Sequence, residues 1–327
     1  MQKYKTLWKR FWNMQESGVL LATVLFIVII TCVNRVFLTQ ENISNVLRGT
    51  GFTLLTTLGI TLVLISGGLD LSVGSIYALG GTVCAKCLVA GVPLWASVFC
   101  GLLAGILVGV VNGFIIVKMN IPPLIVTLGM MYIARGVVYV MTQGVPVYPL
   151  PDEFKALEQS SVLGGIPNVV VLSLILAVLT NVLMKRTALG RQIYAVGGNA
   201  DAARISGINV GRTKMFVYIL TGALAALTGI LMTSRLGSAQ ALAGQGYEMT
   251  VIAAAIIGGT STYAGVGTIL GSVLGALFME VLSNSLTLLR ISVYWQNIVI
   301  GVVLIVAVII DTYRRVLMSK REMNELK

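Results

Sequence analysis

The chain has 327 residues, of which 57% are apolar and only 11% are charged. Because a soluble domain carries roughly 25% charged residues, this composition excludes an ordinary soluble domain and predicts burial in a lipid bilayer. The net charge of +11 reflects basic residues clustered in the segments 1–12, 185–214 and 312–327. Such clusters are typical of cytoplasmic segments of membrane proteins, so the charge does not indicate a nucleic-acid partner.

Charge-free windows predict an all-α polytopic membrane protein, because about 20 apolar residues cross the hydrocarbon core. Two windows are longer than one span needs: 87–117 is expected to contain a turn at 91–93, and 249–279 a break near 258–267. The chain 1–327 is predicted to form a single transmembrane domain, with an eighth span short enough to be re-entrant. About ten spans are predicted, near 18–36, 50–66, 71–90, 95–117, 123–143, 168–185, 215–235, 248–260, 266–286 and 291–311.

The three basic segments also predict the orientation of the chain. The positive-inside rule assigns all three to the cytoplasm, which places both termini there. An even number of spans satisfies this assignment, since six spans lead to the central segment and four return the chain. The segment 144–166 then falls outside, in agreement with its acidic character. The first apolar segment is predicted to be a true span rather than a cleavable signal peptide, because it is long and lacks a small-residue cleavage pattern.

A long polar interruption, 185–214, contains six basic residues and a single acid. Within it, the segment 199–207 is predicted to be a short helix with both ends marked. Asn199 is a good N-cap, Asp201 lies in the first turn where the helix dipole favours an anion, and Gly207 suits a left-handed stop. A small helix offered to the cytoplasm suggests that the protein receives mechanical input there. Its docking surface is expected to consist of Ala202, Ala203 and Ile205.

Two glycine-rich interruptions occupy similar places in two weakly repeated halves. One lies at 67–75 and the other at 258–268, about 190 residues apart, and each runs from a Gly-Gly pair to a Val-Gly-Ser/Thr step. Broken helices in matching positions of two halves indicate a transport pathway. A pair of tight cytoplasmic turns, with glycine for close packing, is the alternative explanation.

Polar residues near these interruptions are candidates to line a pathway. Asp70 is the strongest, because a carboxylate between two apolar spans is costly unless it is paired or hydrated. It could instead cap the third span with help from Ser72, and Glu248 could cap the eighth span. Interhelical hydrogen bonds would explain the uncharged residues equally well. The pathway candidates are Asp70, Ser72, Asn112, Thr127, Glu248, Thr260 and Ser261.

Enzymatic and cofactor chemistry find little support in the sequence. The chain contains no histidine, which excludes histidine metal sites and His-dependent catalytic triads. No glycine precedes a lysine, so the chain has no P-loop of its own. The pair Cys84 and Cys87 is explained by helix packing, with redox or metal chemistry as the alternative. The sequence therefore predicts no enzyme activity, no cofactor and no metal.

Three segments carry a resemblance to a known family: 66–75 (SGGLDLSVGS), 193–210 (IYAVGGNADAARISGINV) and 244–267 (GQGYEMTVIAAAIIGGTSTYAGVG). They resemble the permease subunits of bacterial ABC importers for ribose and related monosaccharides, within the branched-chain amino acid/ribose permease superfamily. The resemblance runs in the same order over nearly the whole chain. It implies an inner-membrane permease that pairs with an identical or paralogous permease, is driven by cytoplasmic ATPase subunits and receives sugar from a periplasmic binding protein.

The polar segment resembles the Glu-Ala-Ala-x-x-x-Gly loop by which importer permeases dock on their ATPase. Asp201 replaces the usual Glu there, and Thr250 stands where ribose permeases often carry an acid, which weakens the transfer of sugar specificity. An ion-coupled secondary sugar transporter is the alternative function. The scarcity of buried acids and the docking-type loop argue against it. The resemblance implies that the ATPase-coupling residues are Asn199, Asp201, Ala202, Ala203, Arg204 and Gly207.

Overall fold

The structure, a computed structural model, describes residues 16–162, 165–261, 263 and 265–325. The basic segment 1–12 lies outside the described residues, as do the side chains from residue 314 onward. A 3₁₀ turn (Arg35–Leu38) follows the first helix, and β1 (Ser161–Val162) pairs antiparallel with β2 (Ile166–Pro167). The helices are α1 (Ser17–Val33), α2 (Gln40–Ile65), α3 (Val73–Val89), α4 (Leu94–Lys118), α5 (Pro123–Thr142), α6 (Asp152–Gln159), α7 (Asn168–Arg186), α8 (Ala188–Gly198), α9 (Ala200–Ile205), α10 (Val210–Leu236), α11 (Tyr247–Ile257), α12 (Ile269–Leu288) and α13 (Val293–Glu325).

Among the described residues, seven helices are long and apolar enough to cross a membrane: α2, α4, α5, α7, α10, α12 and the segment Val293–Tyr313 of α13. The chain is therefore a multi-pass membrane protein with an all-α fold. Three shorter apolar helices, α1, α3 and α11, lie at the three remaining predicted positions. The count of ten spans and the re-entrant eighth span stay predictions.

Helix boundaries near charged residues differ from the sequence prediction. The second helix begins at Gln40 rather than near residue 50, because the Thr39 side chain caps it by accepting the Asn42 N–H. The central segment 185–214 is almost entirely helical instead of a loop with one short helix. Thr187 accepts the Gly190 N–H and starts α8, and Asn209 accepts the Arg212 N–H and starts α10. Because of these N-caps, the short helices follow each other with linkers of one residue (187 and 199) or four residues (206–209).

Helix α10 lies at the centre of the bundle and packs against α2, α3 and α4. Small residues allow the backbones to approach closely, as is common between membrane helices. A side chain at Gly222 would collide with the carbonyl of Gly105, and one at Gly229 with the carbonyl of Tyr77. Tyr218 is fully buried where α10 meets the end of α2. The centre of the molecule therefore holds α2, α3, α4 and α10 in fixed positions.

Helix α6 lies in the segment predicted to be outside and is fastened to α2 by an ion pair. The Arg48 Nε lies 3.2 Å from the Glu158 Oε1, and the Glu158 side chain is fully buried. Burial raises the pKa of Glu158, and the positive charge of Arg48 partly offsets that rise. Near the surface, a hydrogen bond from Lys155 lowers the pKa of Asp152.

Candidate functional site

Each of the two predicted glycine-rich interruptions separates two helices, and these helix breaks begin with the same geometry. Helix α2 ends in a Schellman motif, in which Gly67 has a φ of +78° and the Gly68 N–H donates to the Val63 carbonyl at 2.9 Å. Helix α11 ends likewise, with Gly259 at a φ of +89° and the Thr260 N–H bound to the Ala255 carbonyl at 3.0 Å. A left-handed residue is required at each position, which explains one glycine of each Gly-Gly pair, Gly67 in the first and Gly259 in the second.

Asp70 is wholly buried in the first break, where it organises the turn that leads into α3. Its Oδ1 accepts the Ser72 N–H at 2.8 Å and the Ser72 hydroxyl, in the manner of an Asx turn. The N-cap position itself belongs to Ser72, whose side chain makes no cap hydrogen bond. Asp70 therefore braces the entry to α3 without being its N-cap. Among the described residues, its Oδ2 has no hydrogen-bond partner.

Asn112 and Thr127 join Asp70 and Ser72 around the first break. The Asn112 Nδ2 donates to the Ser72 Oγ at 2.9 Å, which extends the chain of hydrogen bonds from Asp70 to α4. The Thr127 hydroxyl donates to the Pro123 carbonyl at 2.9 Å and reaches the Leu69 carbonyl at 3.4 Å. Four of the seven pathway candidates thus surround one break, and all four are buried.

Thr260 and Ser261 lie apart from this group, in the second break. Thr260 is fully buried beside Gly267, and its hydroxyl has no hydrogen-bond partner among the described residues. The Ser261 hydroxyl donates to the Asp311 Oδ2 at 3.1 Å and links this break to α13. The break ends at Thr268, which caps α12 by accepting the Gly271 N–H at 3.0 Å.

Glu248 lies at a small polar cavity between α3, α5 and the start of α11. The cavity has a volume of about 200 Å³. Glu248 is the second residue of α11, which begins after Gly246 without a side-chain cap. Its carboxylate lies against the Cα of Gly74, where any side chain at residue 74 would collide with it. The residues around the cavity are Ser75, Met131, Tyr132, Arg135, Tyr139, Gln245 and Glu248.

Arg135 is a functional candidate that the sequence analysis missed. Its guanidinium donates to the carbonyls of Ala241 and Ala243 at 2.9 and 2.7 Å, and to the carbonyl of Gly74 at 3.2 Å. It therefore holds the loop before α11 against the start of α3. An arginine inside an otherwise apolar span is costly and indicates a functional site, and this signal was present in the sequence.

The short helix α9 has the predicted caps. The Asn199 Oδ1 accepts the N–H groups of Asp201 and Ala202 at 3.0 and 2.9 Å, and Gly207 has a φ of +84°. The predicted surface of α9 was partly wrong, because Ala203 points into the protein with only 4% exposure. The exposed face consists of Asp201, Ala202, Arg204 and Ile205, and Ile205 is 89% exposed. One turn of helix gives no hydrophobic period that could have distinguished the two faces.

Helix α8 connects α9 to both breaks. The Gly265 N–H of the second break donates to the carbonyl of Ile65, the last residue of α2, at 2.9 Å. Gly197 fits against both of these groups, and any side chain there would collide with the Ile65 carbonyl. The Tyr194 hydroxyl donates to the Gly267 carbonyl at 2.8 Å. The end of α2, the second break and α8 thus meet at one point.

A multi-pass helical bundle with two glycine-rich interruptions and an exposed capped helix outside the candidate spans is an arrangement typical of membrane transport proteins. Residues 42–308 match the family model "Branched-chain amino acid transport system / permease component". The chain belongs to this permease family, whose members are transport components rather than enzymes. No solved structure matches the chain significantly.

Relatives with known transport roles are similar to the chain over most of its length. The ribose import permease protein RbsC of Haemophilus influenzae is 39% identical, over 91% of this chain and 93% of the relative. The D-allose transport system permease protein AlsC of Escherichia coli is 41% identical, over 84% of each chain. The xylose transport system permease protein XylH of Escherichia coli is 34% identical, over 84% of this chain and 86% of the relative.

Proposed function

We propose that this chain is the transmembrane permease subunit of an ATP-driven importer that moves a ribose-like monosaccharide across the bacterial inner membrane. The observation that carries the proposal is the exposed helix α9, capped at both ends and joined through α8 to both helix breaks. The permeases for ribose, D-allose and xylose among its relatives support a monosaccharide as the substrate. The ten-span topology with cytoplasmic termini belongs to the same proposal.

Energy for uphill transport has to come from a separate ATPase, since the sequence contains no P-loop. We place its docking surface on the exposed face of α9, formed by Asp201, Ala202, Arg204 and Ile205, with Asn199 and Gly207 holding the helix ends. A periplasmic binding protein delivers the sugar on the opposite side. A largely exposed isoleucine beside the ion pair of Asp201 and Arg204 is suited to burial in a partner interface.

The polar cavity at α5 supports the proposal of a second permease subunit. Tyr132 and Gln245, on its rim, are exposed in the single chain, and Tyr132 is 70% exposed. A cavity containing Arg135 and Glu248 would be costly if it opened onto lipid. A second permease, identical or paralogous, that packs beside this side of α5 and leaves the cavity open to water would remove that cost.

Coupling is proposed to run from α9 through α8 to the breaks. When the ATPase moves α9, α8 moves with it, because only Asn199 separates the two helices. Gly197 and Tyr194 transmit this movement to Ile65, Gly265 and Gly267. Packed interfaces of this kind switch between discrete arrangements instead of deforming smoothly, as alternating access requires.

Substitution of Ile205 tests the docking surface. In the permease purified with its ATPase, Ile205→Glu should release the ATPase and abolish concentrative uptake, because a charge has to be desolvated against the partner. Ile205→Leu, which keeps an apolar side chain, should retain both. A complex with Ile205→Glu that keeps its ATPase and its substrate-stimulated hydrolysis would place coupling elsewhere. Uptake by the permease alone, driven by an ion gradient, would favour the secondary transporter.

Cysteine labelling tests the orientation. After replacement of the four native cysteines, Ser206→Cys should resist impermeant thiol reagents in intact cells, while Ser160→Cys should react. Both serines are exposed in the structure, so the two positions are matched in accessibility. Labelling at position 206 from outside would contradict the cytoplasmic assignment of α9 and the ten-span topology.

A further inference from the structure

We propose that the cavity between α3, α5 and α11 is a binding site for a single monosaccharide within the permease itself. This inference rests on the proposed function, and it adds a site and the groups that recognise the ligand. The volume of about 200 Å³ is enough for several water molecules. Such a space suits a small polyhydroxylated molecule.

The two charged groups at the cavity are held apart. Arg135 and Glu248 both lie against Gly74, yet they form no ion pair within 4.0 Å among the described residues. The three carbonyls that Arg135 binds keep its guanidinium from swinging over to the carboxylate. A cation and an anion that line one cavity without pairing present both donors and acceptors to whatever enters it.

Arg135 has donors left for a ligand. The carbonyls of Ala241 and Ala243 occupy its Nη1, and the carbonyl of Gly74 takes one N–H of Nη2. Guanidinium has five N–H donors, so the Nε–H and one Nη2–H have no acceptor among the described residues. An Nε–H and an Nη2–H on one edge of a guanidinium can bind two adjacent oxygen atoms, and neighbouring sugar hydroxyls offer such a pair.

Uncharged groups complete the chemistry expected of a sugar site. Ser75 and Gln245 add a hydroxyl and an amide, which can each donate and accept, as sugar hydroxyls do. Tyr132 and Tyr139 add aromatic rings that can cover the apolar C–H face of a sugar ring, together with their own hydroxyls. The facing charges sum to zero, which favours a neutral ligand over an anion or a cation.

A zwitterionic amino acid is the competing ligand, because its carboxylate could pair with Arg135 and its ammonium with Glu248. The observations favour the sugar, since three relatives are named as pentose or hexose permeases and the guanidinium is already engaged by three carbonyls. The experiment below separates the two ligands.

Protection of an introduced cysteine tests the site directly. In purified permease without its native cysteines, Gln245→Cys lies on the cavity rim and is exposed, so a small maleimide should label it readily. Titration with D-ribose should slow that labelling several-fold. Ser44→Cys, on a distant turn of α2, should be labelled at the same rate with and without the sugar. Equal rates at Gln245→Cys throughout the titration, or protection by L-leucine in place of D-ribose, would overturn the proposal.

Further variants show which groups bind the sugar. Glu248→Gln and Arg135→Gln, each added to Gln245→Cys, should raise the D-ribose concentration needed for protection about tenfold, since each removes a charged partner of a hydrogen bond. Glu41→Gln, an exposed carboxylate outside the cavity, should leave it unchanged. Unchanged protection in both cavity variants would contradict the proposal. The labelling needs no ATPase, so ATP-driven uptake of D-ribose by the complete complex tests the proposed function separately.

Discussion

The two helix breaks begin with the same backbone geometry but differ in the contacts that the following residues make. Each begins with a Schellman motif on a left-handed glycine, at Gly67 and Gly259. The first continues through Asp70 and Ser72, which are fully buried and tied by side chains to α4. The second continues through a more exposed segment whose backbone is bound by the Tyr194 hydroxyl of α8 and by the Ile65 carbonyl of α2. The same local geometry therefore leads into a network of buried side chains in one half and into contacts with α8 in the other.

This difference separates two roles within one permease. Side-chain hydrogen bonds among Asp70, Ser72 and Asn112 fix the start of α3, which carries Gly74 and Ser75 to the polar cavity. Backbone contacts at Gly265 and Gly267 lie next to α8, where we propose that movement enters. Substitutions at the first break should damage structure, and substitutions that disturb the contacts of Gly265 and Gly267 in the second should damage coupling.

The largest effect is expected at Gly197, where both breaks and α8 meet. In Gly197→Ala the added methyl group would collide with the Ile65 carbonyl and has only backbone to displace. Overpacking of this kind costs about 1–3 kcal/mol or forces the helices apart, so we expect uptake in proteoliposomes to be abolished. Gly198→Ala is the matched control, because nothing lies within 4 Å of its added methyl group. Equal uptake in the two variants would remove the contact from the coupling route.

A smaller loss of uptake is expected from Asp70 variants. Asp70→Ala removes both hydrogen bonds to Ser72 in a buried turn and should lower the free energy of unfolding by about 3 kcal/mol. Thermal unfolding of the purified permease would measure this change. Asp70→Asn keeps an acceptor for Ser72 and should assemble normally with most of its uptake. Reduced uptake in an Asp70→Asn permease that assembles normally would show that the charge itself acts in the pathway.

Tyr194→Phe should weaken the coupling of ATP hydrolysis to transport while it leaves stability almost unchanged. The change removes one hydrogen bond, to the Gly267 carbonyl, and costs about 1 kcal/mol. The sugar transported per ATP hydrolysed should fall several-fold while the melting temperature changes little. Tyr294→Phe, at a side chain with 83% exposure, is the control and should match wild type in both measurements. An unchanged ratio in Tyr194→Phe would assign the bond a purely structural role.

Local signals in the sequence were sufficient to predict the two breaks and the caps of α9. Gly67 and Gly259 occupy left-handed positions, and Asn199 caps its helix, because these conformations depend on neighbouring residues alone. Charge-free windows identified most helices, but they predicted that α2 begins near residue 50 instead of at Gln40. The window stopped at the charge of Arg48, whose buried partner Glu158 lies 110 residues further along the chain.

Contacts between distant residues could not be predicted from this one sequence. The Tyr194–Gly267 and Ile65–Gly265 bonds join residues 73 and 200 positions apart, and no local pattern encodes such pairs. The same reason applies to the inward orientation of Ala203. Arg135 differs, because an arginine in an apolar window is visible in the sequence, although its three carbonyl partners are not.

The smallest effect is expected at Thr268, where the second break ends in an N-cap. Thr268→Ala removes the acceptor for the Gly271 N–H and the hydroxyl that donates to Glu16. Loss of an N-cap costs about 1 kcal/mol, so the purified permease should melt a few degrees lower while uptake stays close to wild type. Thr268→Ser keeps the hydroxyl and should restore the melting temperature. If Thr268→Ala instead abolished uptake as Gly197→Ala is expected to do, Thr268 would belong to the coupling route together with Gly265 and Gly267, and its role would not be limited to capping α12.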